Sequence, residues 1–155
     1  MRQLIFVLLC AALLSNSAYA QEIKADKIPS AVSSAFKSKF PAATKTDWEM
    51  EDGNYEAEFK MNGEEMSANF DKEGKWIETE TEIKVSALPG LVSAALKKEF
   101  PDWKIEKASK VESVKDGKCY EAEIEKGEEG LDVLLTTEGK VLNKSKVEKE
   151  KGDKD

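Results

Sequence analysis

The sequence predicts an α+β fold of two tandem helix-plus-four-strand units, an antiparallel sheet with the helices packed on one face. Three observations predict it. Ile28 to Pro41 (IPSAVSSAFKSKFP) returns sixty residues later as Leu88 to Pro101 (LPGLVSAALKKEFP), with seven identities framed by the same two prolines. After each of these stretches the apolar spacing changes from a helical period to strict alternation. The alternating runs are punctuated by turn signals, Asp52-Gly53, Asn62-Gly63 and Asp71-Lys72-Glu73-Gly74.

The first twenty residues stand apart. Arg2 is a positive n-region, Leu4 to Leu14 is an apolar run, and Ala18-Tyr19-Ala20 is a small-x-small cleavage signal, so 1–20 reads as a signal peptide. Cys10 lies inside the apolar run, and Leu9 stands before it where a lipoprotein signal needs a small residue. Cleavage after Ala20 leaves Cys119 as the one thiol, so the exported chain forms no internal disulfide and depends on packing. No later stretch reaches the length of a membrane span, and no membrane insertion is expected after cleavage.

Residues 21–27 form a polar lead-in, expected to be loose. In the first unit, 28–87, Ile28, Val32, Ala35, Phe36 and Phe40 recur at helical spacing, Pro29 suits a first turn and Pro41 forbids continuation. This places a helix over about Pro29 to Lys39. Thr46, Trp48 and Met50 then alternate with acidic residues, as do Tyr55, Ala57, Phe59 and Met61, giving a hairpin; Met66, Ala68 and Phe70 make a third strand and Trp76 to Ile83 a fourth. In the second unit, 88–147, Tyr55-Glu56-Ala57-Glu58-Phe59 becomes Tyr120-Glu121-Ala122-Glu123-Ile124 and Glu73-Gly74-Lys75 becomes Glu138-Gly139-Lys140. The offset has grown from 60 to 65, which locates a five-residue insertion between Pro101 and Tyr120, either in the first hairpin or in the loop after the helix. Phe36 and Leu96, Phe40 and Phe100, and Tyr55 and Tyr120 are expected at equivalent core positions. Residues 148–155 are almost wholly charged and read as a disordered tail.

The tandem helix ending in Phe-Pro, the Tyr-Glu-Ala-Glu strand and the acidic turn with Gly-Lys resemble the PepSY-like periplasmic domains of the β-lactamase-inhibitor-protein-like fold. The resemblance covers roughly residues 28 to 147. It implies an antiparallel sheet with helices on one side and a free, often concave sheet face open to another protein. The true β-lactamase inhibitors carry disulfides in both units, whereas this exported chain has Cys119 alone, which speaks against inhibition of that enzyme.

Of 155 residues 35% are charged, the net charge is −7, and there is no histidine. The charge argues against nucleic acid or an anionic membrane as partner. Without histidine the commonest general base, metal ligand and nucleophile-activating group are absent, so the chain is read as not an enzyme, with no cofactor. Cys119, next to Tyr120, is expected to face away from the core as a tolerated surface cysteine. Trp48 shares the apolar parity and is expected in the core; Trp103 could pack or be exposed.

If Tyr55, Ala57 and Phe59 face the helix, Glu56 and Glu58 face outward, with Glu121, Glu123 and Glu125 in the second unit. In the fourth strand the same reasoning puts Ile77, Thr79, Thr81 and Ile83 on one side and Trp76, Glu78, Glu80 and Glu82 on the other. The candidate contact face is therefore Glu56, Glu58, Trp76, Glu78, Glu80, Glu121 and Glu123, against the plain alternative of a solvated face. The expected function is an exported, periplasmic or secreted, monomeric protein-binding module that inhibits or regulates an envelope enzyme or sensor through this face. The alternative is a binder of Ca²⁺ or of a basic peptide; Asp71 to Gly74 has oxygen ligands but not the spacing of an EF-hand loop.

Overall fold

A computed structural model describes residues 21–51 and 53–147. The expected signal peptide and charged tail lie outside the described residues. One antiparallel sheet of nine strands runs through the molecule, and its strand order is the order of the chain. The elements are β1 (Gln21–Glu22), α1 (Ser30–Lys39), β2 (Thr44–Glu51), β3 (Asn54–Met61), β4 (Glu64–Phe70) and β5 (Trp76–Ile83). They continue with α2 (Gly90–Glu99), β6 (Lys104–Ser113), β7 (Gly117–Lys126), β8 (Glu129–Thr136) and β9 (Val141–Lys146), and a single 3-10 turn precedes each helix. No helix among the described residues is long and apolar enough to cross a membrane.

Both helices start directly after a proline and stop at a phenylalanine followed by a proline. Pro29 and Pro89 occupy the N-cap positions, and the Phe40 and Phe100 amides close the last turns on the Phe36 and Leu96 carbonyls, each at 2.8 Å. The next residue, Pro41 or Pro101, then bars the helical conformation for the phenylalanine before it. Each helix lays its apolar stripe on the sheet. Val32, Phe36 and Phe40 pack with Trp48, Ala57, Phe59, Ala68 and Phe70 in one core; Val92 and Leu96 pack with Ala108, Ala122, Ile124, Val133 and Leu135 in the other. The first core is aromatic: Phe36 meets Trp48 edge-on at 5.2 Å and Phe59 at 5.1 Å. Trp103 joins the second, half-buried, against Phe100 at 6.3 Å.

The sheet is continuous across the middle, because β5 pairs with β6 from Glu78↔Ser113 to Ile83↔Ala108. The inserted residues lie in the β6–β7 hairpin. Its strands have 10 residues each where β2 and β3 have 8.

Three expectations are corrected. The lead-in is not loose: β1 pairs with β2, and the Ile23 amide bonds to the Trp48 carbonyl at 2.7 Å, covering what would otherwise be an open sheet edge. Phe100, Tyr55 and Tyr120 pack against the cores but are half-buried rather than enclosed, while Phe36, Leu96 and Phe40 are buried. Cys119 is no surface cysteine; it is 3% exposed, opposite the equally buried Val111 in the β6–β7 hairpin.

Candidate functional site

Strand alternation sorts the sheet into two faces, and cross-strand register shows what each contains. On the helix side Ala57, Ala68 and Thr79 stand opposite one another, as do Ala108, Ala122 and Val133. On the open side one row runs Asp47, Glu58, Ser67, Glu80, Val111 and Cys119, and the next runs Glu49, Glu56, Asn69, Glu78 and Ser113. Two more rows bring Glu82, Ser109 and Glu121 into line, and Lys107, Glu123 and Asp132. Like charges therefore oppose each other directly at Asp47/Glu58, Glu49/Glu56 and Glu123/Asp132, an arrangement that costs stability in a sheet.

This face is a trough. One depression of about 530 Å³ is lined from β3 to β6, including Glu56, Glu58, Glu80, Glu82 and Lys107. A second, of about 270 Å³, is lined by five successive strands from β5 to β9, including Ile77, Glu80, Val111, Glu121 and Asp132. A flat sheet could not line one hollow with five strands. Glu80 borders both depressions and a third between them.

Glu80 consequently sits where carboxylate is least welcome. Its pKa is pushed up to about 8, first by burial and then by the charges of Glu121, Glu78, Glu56 and Asp132. Lys107 answers part of this field: it is 2.9 Å from Glu123, whose hydrogen bond and charge raise the lysine's pKa. Lys60 and Glu65 form another pair at the trough's edge. Among the described residues no group of three or more His, Cys, Asp or Glu could hold a metal ion. The Asp71 carboxylate is engaged by its own turn, accepting from the Glu73 amide at 3.0 Å and the Lys75 amide at 2.8 Å.

The structure brings Glu56, Glu58, Glu78, Glu80, Glu121 and Glu123 together on the open face. It removes Trp76 from that set. Between Asn69↔Glu78 and Phe70↔Trp76 the pairing slips by a β-bulge, so Ile77 turns to the open face and Trp76 to the helix side. There Trp76 packs against the first core, its Nε1 donates to Thr79 Oγ1 at 2.9 Å, and Lys39 Nζ lies 3.9 Å from its ring centroid. Sequence reasoning missed Lys107 and Asp132. Asp132 alternates with Leu131 and Val133 and was readable by parity, whereas a bulge between Ile105 and Lys107 hides the lysine.

The family model described as "Putative beta-lactamase-inhibitor-like, PepSY-like" matches residues 16–67 and 53–143. The chain belongs to this family. Among solved structures it is similar to a BLIP-like protein from Bacteroides fragilis, at 25% identity over 81% of this chain and 92% of that one, TM-score 0.65. It is similar to a DUF2874 family protein from Bacteroides ovatus, at 26% identity over 78% and 89%, TM-score 0.68. A protein from Bacteroides eggerthii described as one of the "putative periplasmic proteins" shares the fold at 24% identity over 76% and 88%, TM-score 0.67. No curated protein matches the chain.

Proposed function

We propose that this PepSY-like protein is an exported, non-catalytic module of the periplasm or cell exterior that binds a cationic surface of another exported or envelope protein in its acidic trough. The observation that carries the reading is Glu80, a glutamate at the meeting point of three depressions whose pKa is pushed up to about 8, first by burial and then by the carboxylates around it. A lysine or arginine from a partner would relieve that repulsion and be paired in a partly desolvated hollow, where charge-assisted contacts are strongest. A protein partner is favoured over Ca²⁺ because the carboxylates are spread along rows of the sheet rather than converging on one point. Regulation or inhibition of an envelope enzyme or sensor, by a monomer, is the role such binding would serve.

We also read the chain as two tandem helix-plus-four-strand units, 28–87 and 88–147. Supporting this, the bulge at Trp76 recurs at Val141, and the bulge before Asp47 recurs before Lys107. The two turns between third and fourth strands are closed by equivalent side chains, Asp71 and Thr136.

The test is crosslinking and capture from a periplasmic extract with wild type, with Glu80→Lys plus Glu121→Lys, and with Trp76→Ala. The partner should be retained by wild type and Trp76→Ala and lost from the double variant. Identical partner profiles for the double variant and wild type would remove the trough as the contact surface.

A further inference from the structure

Toward the helix side of the sheet, between the two helix-covered cores, lies a cleft of about 420 Å³ that meets the open face only at Val111 and Cys119. Its floor is the middle of a cross-strand row, Met66, Thr81, Lys110 and Tyr120, which begins in the first core at Phe59 and ends in the second at Leu135. Neither helix covers that middle. One end of the cleft is apolar, walled by Phe40, Met61 and Met66; the other is basic, with Lys110 and Lys118.

Two features show that this is more than a gap between helices. The position of Lys110 in the second half corresponds to Met50 in the first, so a cation replaces an apolar side chain on the helix side of the sheet. Lys118 belongs to the extension of the β6–β7 hairpin, which β2 and β3 lack. Charge points the same way. The lining has three lysines, Lys39, Lys110 and Lys118, and one carboxylate, Glu112, in a chain whose net charge is −7. Lys39 is held over the Trp76 ring, and among the described residues neither Lys110 nor Lys118 forms an ion pair. The volume falls in the range of small-molecule sites, which combine apolar walls with a few polar groups that fix orientation. Methionines suit a flexible aliphatic chain because they repack around it.

We propose that this cleft binds an amphipathic carboxylate, its aliphatic chain among Phe40, Met61 and Met66 and its carboxylate against Lys110 and Lys118. The ligand is a small molecule, and its binding is independent of the protein partner in the trough.

Titration calorimetry of the protein purified from the periplasm with sodium decanoate, below its micellar concentration, tests this. Saturable one-to-one binding is expected, weakened at least ~10-fold both in Lys110→Glu plus Lys118→Glu and when decan-1-ol replaces decanoate. Both lysines are exposed, so the double variant should melt like wild type. Absence of saturable binding, equal affinity for decanol and decanoate, or unchanged affinity in the double variant would each overturn the proposal.

Discussion

Gly74 lies directly beneath the first turn of α1: a Cβ at this glycine would stand 2.6 Å from the carbonyl oxygen of Ala31. Gly139 stands in the same relation to Leu91 of α2, also at 2.6 Å, and both glycines have left-handed φ, +81° and +84°. The β4–β5 and β8–β9 turns are thus the seats on which α1 and α2 start. Only glycine fits, for conformation and for space.

Gly74→Ala and Gly139→Ala should therefore destabilise by more than an ordinary surface change, about 1 to 3 kcal/mol each, from the strained φ together with displacement of the helix. Gly53, at φ +79° with nothing within 4 Å, is the control, and its alanine variant should show the conformational cost alone. Denaturant melts compare the three. Equal losses at Gly53 and Gly74 would mean that the Ala31 contact has no energetic weight.

Glu80 ties stability to pH. In the unfolded chain a glutamate ionises near its ordinary value of 4.5, whereas in the folded protein Glu80 keeps its proton to about 8. Between those values the folded state binds more protons, so the Glu80 contribution to stability falls as pH rises and is level above about 8. Glu80→Gln should leave stability near pH 4 unchanged and raise it at pH 9, by about 2 kcal/mol or more at roughly 1.4 kcal/mol per pKa unit. Melts of both proteins across this range decide it; a constant difference between them would disprove the coupling.

The alternation of the strands made the acidic face legible before any coordinates, because Glu56, Glu58, Glu121 and Glu123 each lie between two apolar residues of the buried parity. Trp76 was not legible by that rule, since a bulge changes parity within a strand. The signal was nevertheless present as two adjacent apolar residues, Trp76-Ile77, repeated as Val141-Leu142 in the other half. β1 was also foreshadowed: Glu22-Ile23-Lys24 recurs as Glu82-Ile83-Lys84 at the end of β5. The trough and the seam cleft depend on sheet curvature and helix spacing, which are sums over many residues and leave no local mark.

Cys119 should behave as a protected thiol. It is buried, its Sγ donates to the Asp116 carbonyl at 3.5 Å, and burial with the nearby Asp116 and Glu138 charges raises its pKa. Alkylation by iodoacetamide at pH 8 should be at least ~10-fold slower in the folded protein than in denaturant. Intact mass after denaturation should show one modified thiol per exported chain. Rapid labelling of the native protein would contradict the buried placement.

The two phenylalanines that end the helices should differ although they close the same turn. Phe40 is 6% exposed and packs against Phe36 at 5.5 Å and Phe59 at 4.7 Å. Phe100 is half-buried, with Trp103 on one side and Lys144 Nζ 5.7 Å from its ring centroid. Phe40→Ala removes a ring enclosed by other rings and should cost about 3 to 5 kcal/mol, the range for a buried phenylalanine. Phe100→Ala should cost about half as much, because solvent already reaches the ring and fills part of the space it vacates. Glu58→Ala, on the open face opposite Asp47, should change stability by about 0.5 kcal/mol or less, and in the stabilising direction, since it removes a like-charge pair. Urea melts of the three variants at pH 7 give these differences, and equal losses from Phe40→Ala and Phe100→Ala would show that the helix stop, rather than the aromatic cluster, carries the energy.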